Sequence, residues 1–254
     1  MLNIVVPMAG RGSRFADAGY ALPKPLIEVH GVPMIRLVIA NLTPATPHRF
    51  HFLIQRAHEE AHGLGALLRD WAPGATVTPI DGITEGAACT VLLARKLIDS
   101  DDPLMIANCD QYIDADIDAY LAAQGDADGL IMTMWADDPK WSFVRRDAAG
   151  RVTQVVEKEV VSNEATVGIY NFRRGRDFVR AADGMIAADQ RVNGEFYVAP
   201  VYDMLIAEGA RIECFGIGGV GSGMHGLGVP ADLDAFLATE VSRRAVAPLG
   251  GRSA

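Results

Sequence analysis

The chain has 254 residues, of which 50% are hydrophobic and 22% are charged, and its formal net charge is −9. A chain of this length can bury a full hydrophobic core without disulfides or a structural metal. The acidic balance argues against a protein that coats nucleic acid or an anionic membrane, because both tasks need a basic surface. The sequence has no apolar run of the roughly 20 residues that a membrane span needs, and its three cysteines lack the spacing of a disulfide framework. We therefore expect a cytoplasmic protein with reduced thiols and neither a nucleic-acid nor a membrane partner.

The first half of the sequence alternates short apolar runs with amphipathic helical patterns. Such alternation predicts βαβ units and a parallel sheet with helices on both faces. The run 104–107 is apolar at every position, as expected for a central strand. In chain order, the predicted segments are 2–6, 34–42, 49–54, 58–71, 76–80, 87–98, 104–107, 117–123 and 130–135.

The second half, from residue 140, has a different pattern. Two β-rich runs flank residues 147–150, Asp-Ala-Ala-Gly, which predicts an antiparallel hairpin. The hairpin strands are 142–146 and 151–157, followed by a strand at 167–172, helices at 174–188 and 197–207, a strand at 211–215, a glycine-rich stretch and a helix at 231–241. We predict one domain over residues 1–244, with halves 1–139 and 140–244, and a flexible tail over 245–254.

A glycine-rich turn with two cations follows the first predicted strand. Gly10 and Gly12 lack side chains, so backbone N–H groups around them can approach an anion closely. Arg14 and Lys24 add positive charge, and prolines on both sides of Lys24 fix its backbone. The pattern predicts a phosphate-binding loop that is not a Walker loop, since GxxxxGK[ST] is absent. The alternative is a tight turn whose glycines serve only packing.

These residues belong to a longer pattern that resembles the signature of the sugar-phosphate nucleotidylyltransferases, or nucleoside-diphosphate-sugar pyrophosphorylases, of the capsule and surface-polysaccharide type. The matching residues are Gly10-x-Gly12-x-Arg14-Phe15 and Pro23-Lys24-Pro25-Leu26. The resemblance implies an α/β fold with a Rossmann-like, mostly parallel sheet covered by helices and a small antiparallel β insertion in the second half. It also implies that Arg14 and Lys24 are catalytic and contact the reacting phosphates. The loop that wraps the triphosphate of the nucleotide would contain Ala9, Gly10, Gly12 and Ser13.

A second segment of the first half, residues 81–88, corresponds to the base-reading loop of that family. Gly86 matches the family's glycine, and the resemblance adds Asp81, Glu85 and Ala87 to the nucleotide-binding residues. Many relatives carry a glutamine where this chain has Asp81, so the preferred base stays open. The resemblance thus makes residues 1–139 the nucleotide-binding half.

Asp110 stands just beyond the apolar run 104–107. Ligands of open α/β sheets gather at the carboxyl ends of the strands, so this carboxylate is at the expected place for a site. An aspartate there can also simply cap the next turn. The resemblance favours a catalytic and metal-binding role, because the family holds Mg²⁺ with an aspartate at this position.

The resemblance assigns the second half, residues 140–244, to the phosphorylated acceptor. The residues that match the family's acceptor-binding elements are Glu157, Lys158, Gly168, Asn193 and Glu195. Without the resemblance, a Glu-Lys pair at a strand end is more simply explained as a solvated ion pair.

One part of the family pattern is missing. Relatives commonly have a second metal-binding aspartate near the C-terminus, and its place in this sequence falls at Gly226. Another carboxylate, water or the phosphates of the nucleotide would then complete the shell of Mg²⁺, which often keeps such ligands. His225 is adjacent, although histidine is a poor ligand for Mg²⁺.

The resemblance implies transfer of a nucleotidyl group from a nucleoside triphosphate to a sugar 1-phosphate or similar phosphorylated acceptor, with release of pyrophosphate. Three alternatives are a cytidylyltransferase for a non-sugar phosphate, a glycosyltransferase that uses a nucleotide sugar, and a non-catalytic regulatory homologue. Glycosyltransferases usually centre on Asp-x-Asp, where this chain has Asn108-Cys109-Asp110. The base, the acceptor and the oligomeric state stay open, a homo-oligomer included.

Two further motifs carry less weight. Residues 58–62 match HExxH, but Gly63 and Gly65 break the helix that a zinc peptidase needs, and position 68 is leucine instead of a third ligand. Residues 216–221 match GxGxxG after a strand, but more glycines follow in place of a helix. We therefore expect neither zinc nor a dinucleotide at these motifs.

Overall fold

The structure is a computed structural model, and it describes residues 1–250. Over these residues, eleven strands form one sheet, and β2 and β3 form a separate small hairpin. The strands are β1 (Leu2–Met8), β2 (Glu28–Val29), β3 (Val32–Pro33), β4 (His48–Gln55), β5 (Thr76–Ile80), β6 (Leu104–Ala107), β7 (Gln111–Ile113), β8 (Gly129–Trp135), β9 (Ser142–Arg146), β10 (Val152–Glu157), β11 (Glu164–Phe172), β12 (Ile212–Val220) and β13 (Gly223–Gly226). The helices are α1 (Ser13–Asp17), α2 (Met34–Leu42), α3 (Arg56–His62), α4 (Leu64–Trp71), α5 (Ala87–Leu92), α6 (Arg95–Ile98), α7 (Ile117–Ala122), α8 (Gly175–Ala187), α9 (Val201–Ala207), α10 (Pro230–Leu237) and α11 (Glu240–Val246), with 3₁₀ turns at Lys24–Leu26 and Ala247–Leu249.

The main sheet is continuous through both halves of the chain. Its order is β5-β4-β1-β6-β11-β8-β12-β13-β7. Strands β5, β4, β1 and β6 run parallel, whereas β11 is antiparallel to both β6 and β8. The predicted hairpin is formed by β9 and β10, and it joins the sheet through β11. The predicted fold, a mostly parallel α/β sheet with a small antiparallel insertion, is therefore confirmed.

Hydrophobic side chains pack on both faces of this sheet. Successive strand residues point to opposite faces, so Ile4 of β1 packs on one face and Val5 on the other. The first face is covered by α2, α4 and α7, and the second by α5, α8 and α9. Burial of each such side chain is worth about 1.5–3 kcal/mol. Helices thus cover both faces of the sheet, and the edges where the strands end stay open to ligands.

Two helices that the sequence predicts as continuous are each broken into two. The segment 58–71 corresponds to α3 and α4, with Gly63 between them at φ +59°. Glycine adopts this left-handed conformation without strain, which is why the chain can change direction there. The segment 87–98 corresponds to α5 and α6, which are separated by a turn at residues 93–94.

The second half departs further from the predicted elements. The helix predicted from Tyr197 begins only at Val201, because Phe196 is held extended by backbone hydrogen bonds to Glu85 and Ala88. Strand β12 continues through the glycine-rich stretch, where it pairs with β8 and β13. Long-range pairing thus supplies the strand character that the glycines themselves do not favour.

The C-terminal region is helical beyond the predicted last helix. The segment 231–241 corresponds to α10 and the start of α11, and the Thr239 hydroxyl caps α11 by accepting from the Ser242 amide. The predicted tail is wrong at its start, because Val246 is only 1% exposed and Leu249 packs on the same cluster. The rest of that predicted tail, residues 251–254, lies outside the described residues.

Candidate active site

A cleft of about 580 Å³ opens where β1 ends, at the carboxyl-terminal edge of the sheet. Residues predicted to bind the nucleotide form one wall, and the second half contributes Glu195 and Gly228. The predicted residues that line the cleft are Ala9, Gly10, Gly12, Ser13, Arg14, Lys24, Gly86, Ala87 and Glu195. The structure therefore brings most of the predicted nucleotide residues and one predicted acceptor residue into a single space, whereas Asp81 and Glu85 do not line it.

Residues 9–14, which we call the glycine loop, connect β1 to α1. Among residues 1–250, no protein acceptor takes the backbone N–H groups of residues 10–14, so these groups can bind an anion. Gln55, at the end of β4, donates to the carbonyl groups of Ala9 and Gly10 and thereby fixes the loop. Gly12 has φ +62°, and a Cβ there would lie 3.4 Å from Lys24 Cβ. The conformation of the loop thus explains why glycine stands at position 12.

Lys24 and Asp110 form an ion pair beside the glycine loop. Lys24 Nζ donates to Asp110 Oδ2, and the two side chains are 17% and 28% exposed. Burial alone lowers the pKa of Lys24, but the charge and the hydrogen bond of Asp110 outweigh it, so this pKa is raised. Lys24 is therefore a cation at neutral pH, held at the end of β6 by the carboxylate that the sequence singles out.

The thiol next to this ion pair, that of Cys109, has a raised pKa. Burial, reinforced by the charge of Asp110, raises the pKa of Cys109 to about 11. Burial also raises the pKa of Cys89 and of Cys214, and all three cysteines are free. The thiols therefore stay protonated at neutral pH, and a thiolate is not available to the cleft.

Two glycines of the C-terminal part lie close to carboxylates. A Cβ at Gly226, the predicted place of the missing second aspartate, would lie 3.0 Å from a carboxylate oxygen of Asp232. A Cβ at Gly228 would lie 3.0 Å from Asp110 Oδ2 and 3.9 Å from Lys24 Nζ. The carboxylate nearest to Gly226 is thus that of Asp232, and the backbone that approaches Asp110 is that of Gly228.

The residues around Asp110 fit a magnesium ion better than zinc. Within residues 1–250, no three His, Cys, Asp or Glu side chains are grouped so that they could hold a metal ion. Mg²⁺ needs fewer protein ligands, because it usually keeps several waters and is held by one or two carboxylates and substrate phosphates. His225 lies apart, against the rings of Tyr112 and Phe236, where burial lowers its pKa. Asp110 beside the glycine loop is thus a donor set that would suit Mg²⁺.

Asp81 lies outside the main cleft. It forms a bidentate ion pair with Arg56, with N···O distances of 2.6 and 3.2 Å, in a neighbouring depression that Ile83 also lines. The hydrogen bond from Arg56 lowers the pKa of Asp81. The carboxylate predicted to contact the nucleotide is therefore paired with Arg56, at the side of the glycine loop.

Gly86 connects the predicted base loop to the second half of the chain. It has φ +134°, and a Cβ there would collide with the backbone of Phe196. Phe196 donates to the Glu85 carbonyl at 2.8 Å and accepts from the Ala88 amide at 3.0 Å. The Glu85 carboxylate accepts from Arg191 at 3.1 Å, and the Arg191 guanidinium lies 4.2 Å from the Phe196 ring centroid. The two loops consequently form one connected unit.

Glu157 and Lys158 follow each other at the end of β10. Glu157 accepts from the Ser142 hydroxyl, and burial raises the pKa of Glu157. Lys158 has φ +58°, which is uncommon outside glycine. Its Nζ donates to the Tyr197 hydroxyl and lies 4.5 Å from the ring centroid. Burial alone lowers the pKa of Lys158, but the hydrogen bond to Tyr197 and the nearby Glu157 and Glu195 together outweigh it, so this pKa is raised and Lys158 is a cation at neutral pH.

Gly168 and Asn193 shape the backbone of the acceptor half. A Cβ at Gly168, where φ is +79°, would collide with the Asn108 amide. Asn193, at φ +50°, turns the chain so that Val192 pairs with Glu195. The structure thus places Gly168 within β11, where the register with β8 is irregular, and Asn193 at a turn, and brings Glu195 into the cleft.

The chain matches the model of a known protein family. The model of the family "Nucleotidyl transferase" matches residues 4–192, which is most of the chain. The chain belongs to this family. The family consists of nucleotidyltransferase enzymes, and the match includes the glycine loop, Lys24 and Asp110.

The chain is also similar to curated relatives and to a solved structure whose names are consistent with the nucleotidyl transferase family. "Bifunctional protein GlmU" of Azotobacter vinelandii is 28% identical over 220 residues, covering 83% of this chain and 46% of the relative. The protein of the same name from Ralstonia nicotianae gives the same identity and coverage. The chain spans about half the length of these curated relatives. A nucleoside-diphosphate-sugar pyrophosphorylase from Vibrio cholerae RC9 has a TM-score of 0.80 at 26% identity, over 93% of this chain and 100% of that one.

Three polar residues near the cleft and its loops were missed at the sequence level: Gln55, Gln111 and Arg191. Gln55 and Gln111 lie near the carboxyl ends of β4 and β6, where ligands gather, so that rule could have indicated them. The Nε2 atom of Gln111 is buried without a partner, and its Oε1 lies near the Gly168 backbone. Arg191 has no local signal, because its contacts to Glu85 are made across 106 positions of the chain.

The two rival motifs have structural explanations. Glu59 of the HExxH match accepts from the Gly65 amide at the start of α4, and His58 and His62 line a second cavity beside the glycine loop. The GxGxxG match lies in β12 and in the turn to β13, and no helix follows it. Among residues 1–250, none of the helices combines the length and the hydropathy that crossing a membrane requires.

Proposed function

We propose that the protein transfers a nucleotidyl group from a nucleoside triphosphate to a sugar 1-phosphate or similarly phosphorylated acceptor. A phosphate oxygen of the acceptor forms a bond to the α-phosphorus, the bond from that phosphorus to the β-phosphate breaks, and pyrophosphate leaves. The observation that carries this proposal is the Lys24–Asp110 ion pair. The pair lies beside the glycine loop, whose N–H groups are unpaired, and Asp110 follows the end of the central strand β6.

The chemistry needs neutralisation of charge more than it needs a base. The second pKa of a phosphate monoester is about 6, so the acceptor is already largely dianionic at neutral pH. The main barrier is the approach of two polyanions, and preorganised cations and N–H groups lower such a barrier. Arg14, Lys24 and the N–H groups of the glycine loop would bind the triphosphate. Lys158, oriented by Tyr197, would hold the acceptor phosphate.

The donor set fits Mg²⁺, which we propose as the metal. Asp110 would hold it, and water and the phosphates would supply the other ligands. When bound, the ion adds positive charge to the reacting phosphates. We further propose that the reaction activates sugars for surface polysaccharide in the cytoplasm, a compartment that suits three free cysteines.

Thermal unfolding in the presence of ligands is the first test of this function. We expect one of ATP, CTP, GTP, UTP and dTTP to raise Tm in the presence of Mg²⁺, since a ligand at 100 times its Kd adds about 2.7 kcal/mol. The shift should disappear in Asp110→Asn. It should persist in Asp114→Asn, because Asp114 is paired with Arg244 instead of Lys24.

Pyrophosphate release should then begin when sugar 1-phosphates are added with that nucleotide. A protein stabilised only by nucleoside diphosphate sugars, with no release of pyrophosphate, would be a glycosyltransferase. A protein that binds the triphosphate but releases no pyrophosphate with any sugar or non-sugar phosphate would be a regulatory homologue.

A further inference from the structure

Three carbonyl groups of the glycine loop are held by donors from the protein. The carbonyls of Ala9 and Gly10 accept from Gln55 Nε2, at 3.1 and 2.5 Å. The carbonyl of Gly12 accepts from two amides of α1, at 3.1 and 3.4 Å. The N–H groups of residues 10–14, in contrast, have no acceptor among residues 1–250. The loop therefore bonds to the protein through its carbonyl groups and keeps its N–H groups free.

The bonds from Gln55 also fix the direction of two N–H groups. A trans peptide group places its C=O and its N–H on opposite sides. Because Gln55 holds the carbonyls of Ala9 and Gly10, the N–H groups of Gly10 and Arg11 point away from Gln55. Gln55 lines the depression beside Asp81, whereas Gly10 and Arg11 line the cleft. The two N–H groups are thus turned from the side of Gln55 to the other side of the loop.

The glycines make this orientation easy to lose. Glycine adopts positive and negative φ almost equally well, so the peptide planes beside it can flip. A flipped plane would direct a carbonyl oxygen, instead of an N–H group, at an anion. A Cβ at Gly10 would meet nothing within 4 Å, so packing does not hold the chain there. The orientation of the loop therefore depends on the donors that bind its carbonyls.

Gln55 is well placed to be such a donor, because it belongs to the sheet. It is the last residue of β4 and pairs with Ile80 of β5. Its neighbour Ile54 pairs with Met8, the last residue of β1 before the loop. A carboxamide has two N–H donors, one for each of the two carbonyls. A methionine or a glutamate of similar length would lack this pair of donors.

We infer that Gln55 is a positioning residue that directs the N–H groups of Gly10 and Arg11 at the phosphates of the nucleotide. Gln55 contacts the loop carbonyls and acts through them. The inference rests on the proposed function, which supplies the polyphosphate. Hydrogen bonds to an anion are roughly twice as strong as neutral ones, so the direction of each N–H group matters for affinity. The contribution of Gln55 to binding should therefore grow with the number of phosphates on the ligand.

The variant Gln55→Met removes both donors and keeps the length of the side chain. Calorimetry measures its affinity for inorganic tripolyphosphate, and for the monophosphate and triphosphate of the nucleoside that stabilises the wild type. We expect a loss of about 10- to 100-fold for tripolyphosphate and the triphosphate, but less than about threefold for the monophosphate. Unchanged affinity for tripolyphosphate would overturn the inference. An equal loss for all three ligands would also overturn it, because it would indicate a general distortion of the cleft.

A second variant and a matched control complete this test. Gln55→Glu keeps the shape of the side chain but presents an acceptor to both carbonyls, so it should lose at least as much affinity for tripolyphosphate as Gln55→Met. Gln124→Met should bind tripolyphosphate as the wild type does. Gln124 also donates to a carbonyl, that of Ala127 at 3.5 Å, but it lies beside Leu2 at the other end of β1. Wild-type affinity in Gln55→Glu, or an equal loss in Gln124→Met, would contradict the role of Gln55.

A local readout separates this inference from the proposed function. In protein labelled with ¹⁵N-glycine, tripolyphosphate should shift the amide signal of Gly10 in the wild type and not in Gln55→Met. A failure of the proposed function would give a different result: the wild type would show this shift but release no pyrophosphate from a triphosphate and an acceptor. A wild type whose Gly10 signal does not respond to tripolyphosphate would overturn the role of Gln55 itself.

Discussion

The two lysines proposed to bind the substrates, Lys24 in the first half and Lys158 in the second, are held in different ways. Lys24 is paired with a carboxylate, Asp110, whereas Lys158 donates to a neutral phenol, Tyr197. When a phosphate binds, a lysine paired with a carboxylate exchanges one anionic partner for another. A neutral phenol carries no charge, so it does not neutralise the lysine that donates to it. The first half therefore combines a cation with a potential metal ligand, and the second half presents a cation that is bonded to a phenol and lies near the carboxylates of Glu157 and Glu195.

Loss of a cation from the first half should have the largest effect. We expect Lys24→Ala or Arg14→Ala to lower kcat by about 10²–10³, as when one preorganised electrostatic group is removed. Pyrophosphate release measures this loss. Lys140→Ala serves as the control, because Lys140 is about half exposed and paired with Asp138. Turnover at the wild-type rate in both variants would contradict the role given to the first half.

The contact between the two halves should be the next most sensitive feature. Gly86→Ala places a Cβ against the backbone of Phe196, whereas Gly82→Ala, also at positive φ, meets open space. Both variants strain the backbone, but only the first also forces the halves apart. We expect Gly86→Ala to lose about 1–3 kcal/mol more in the free energy of unfolding than Gly82→Ala, measured with denaturant. Equal losses would show that the contact is unimportant.

Tyr197→Phe sharpens the comparison of the lysines. It keeps the ring beneath Lys158 and removes only the hydroxyl that accepts from Nζ. A hydrogen bond of about 0.5–1.5 kcal/mol corresponds to a two- to tenfold effect. We expect KM for the acceptor to rise by about that factor, with kcat and the affinity for the triphosphate unchanged. A change in the affinity for the triphosphate, with KM for the acceptor unchanged, would contradict the role of Tyr197 in binding the acceptor.

A pH dependence of stability is expected from Asp203 in α9. Asp203 accepts from the Val155 amide of β10, and burial raises its pKa from 3.8 to about 6. The folded state thus favours the protonated carboxyl, which gives stability that is fully present below about pH 4 and lost as the pH rises through 6. The free energy of unfolding of the wild type should therefore fall between pH 4 and pH 7 relative to Asp203→Asn. Parallel pH profiles would refute this assignment.

The sequence predicts the first half well because its signals are local. Apolar periodicity located β1, β4, β5 and β6, and the glycine and proline pattern located the loop and Lys24. It also placed Asp110 at the end of β6, because a fully apolar run followed by a carboxylate needs no information from elsewhere in the chain.

The parts that the sequence did not predict depend on contacts between distant residues. Strands β7 and β13 are short: β7 pairs with β13, and β13 also pairs with β12. The extended segment before α9 is held by Glu85 and Ala88, about 110 positions away. The pairing of Asp81 with Arg56, and the approach of Gly228 to Asp110, arise in the same way. Local propensity carries no information on any of these contacts.

The backbone bonds between Phe196 and the Glu85–Ala88 segment limit how this protein can diversify. An insertion or a deletion of one residue in either segment would break the hydrogen bonds of Phe196 with Glu85 and Ala88. It would also remove the close contact between Gly86 and the backbone of Phe196. Descendants of this chain that acquire a new acceptor must therefore do so by exchanging side chains at constant loop length. Loop insertions, the usual route to new specificity on α/β folds, are compatible with the cleft only outside this pair of segments.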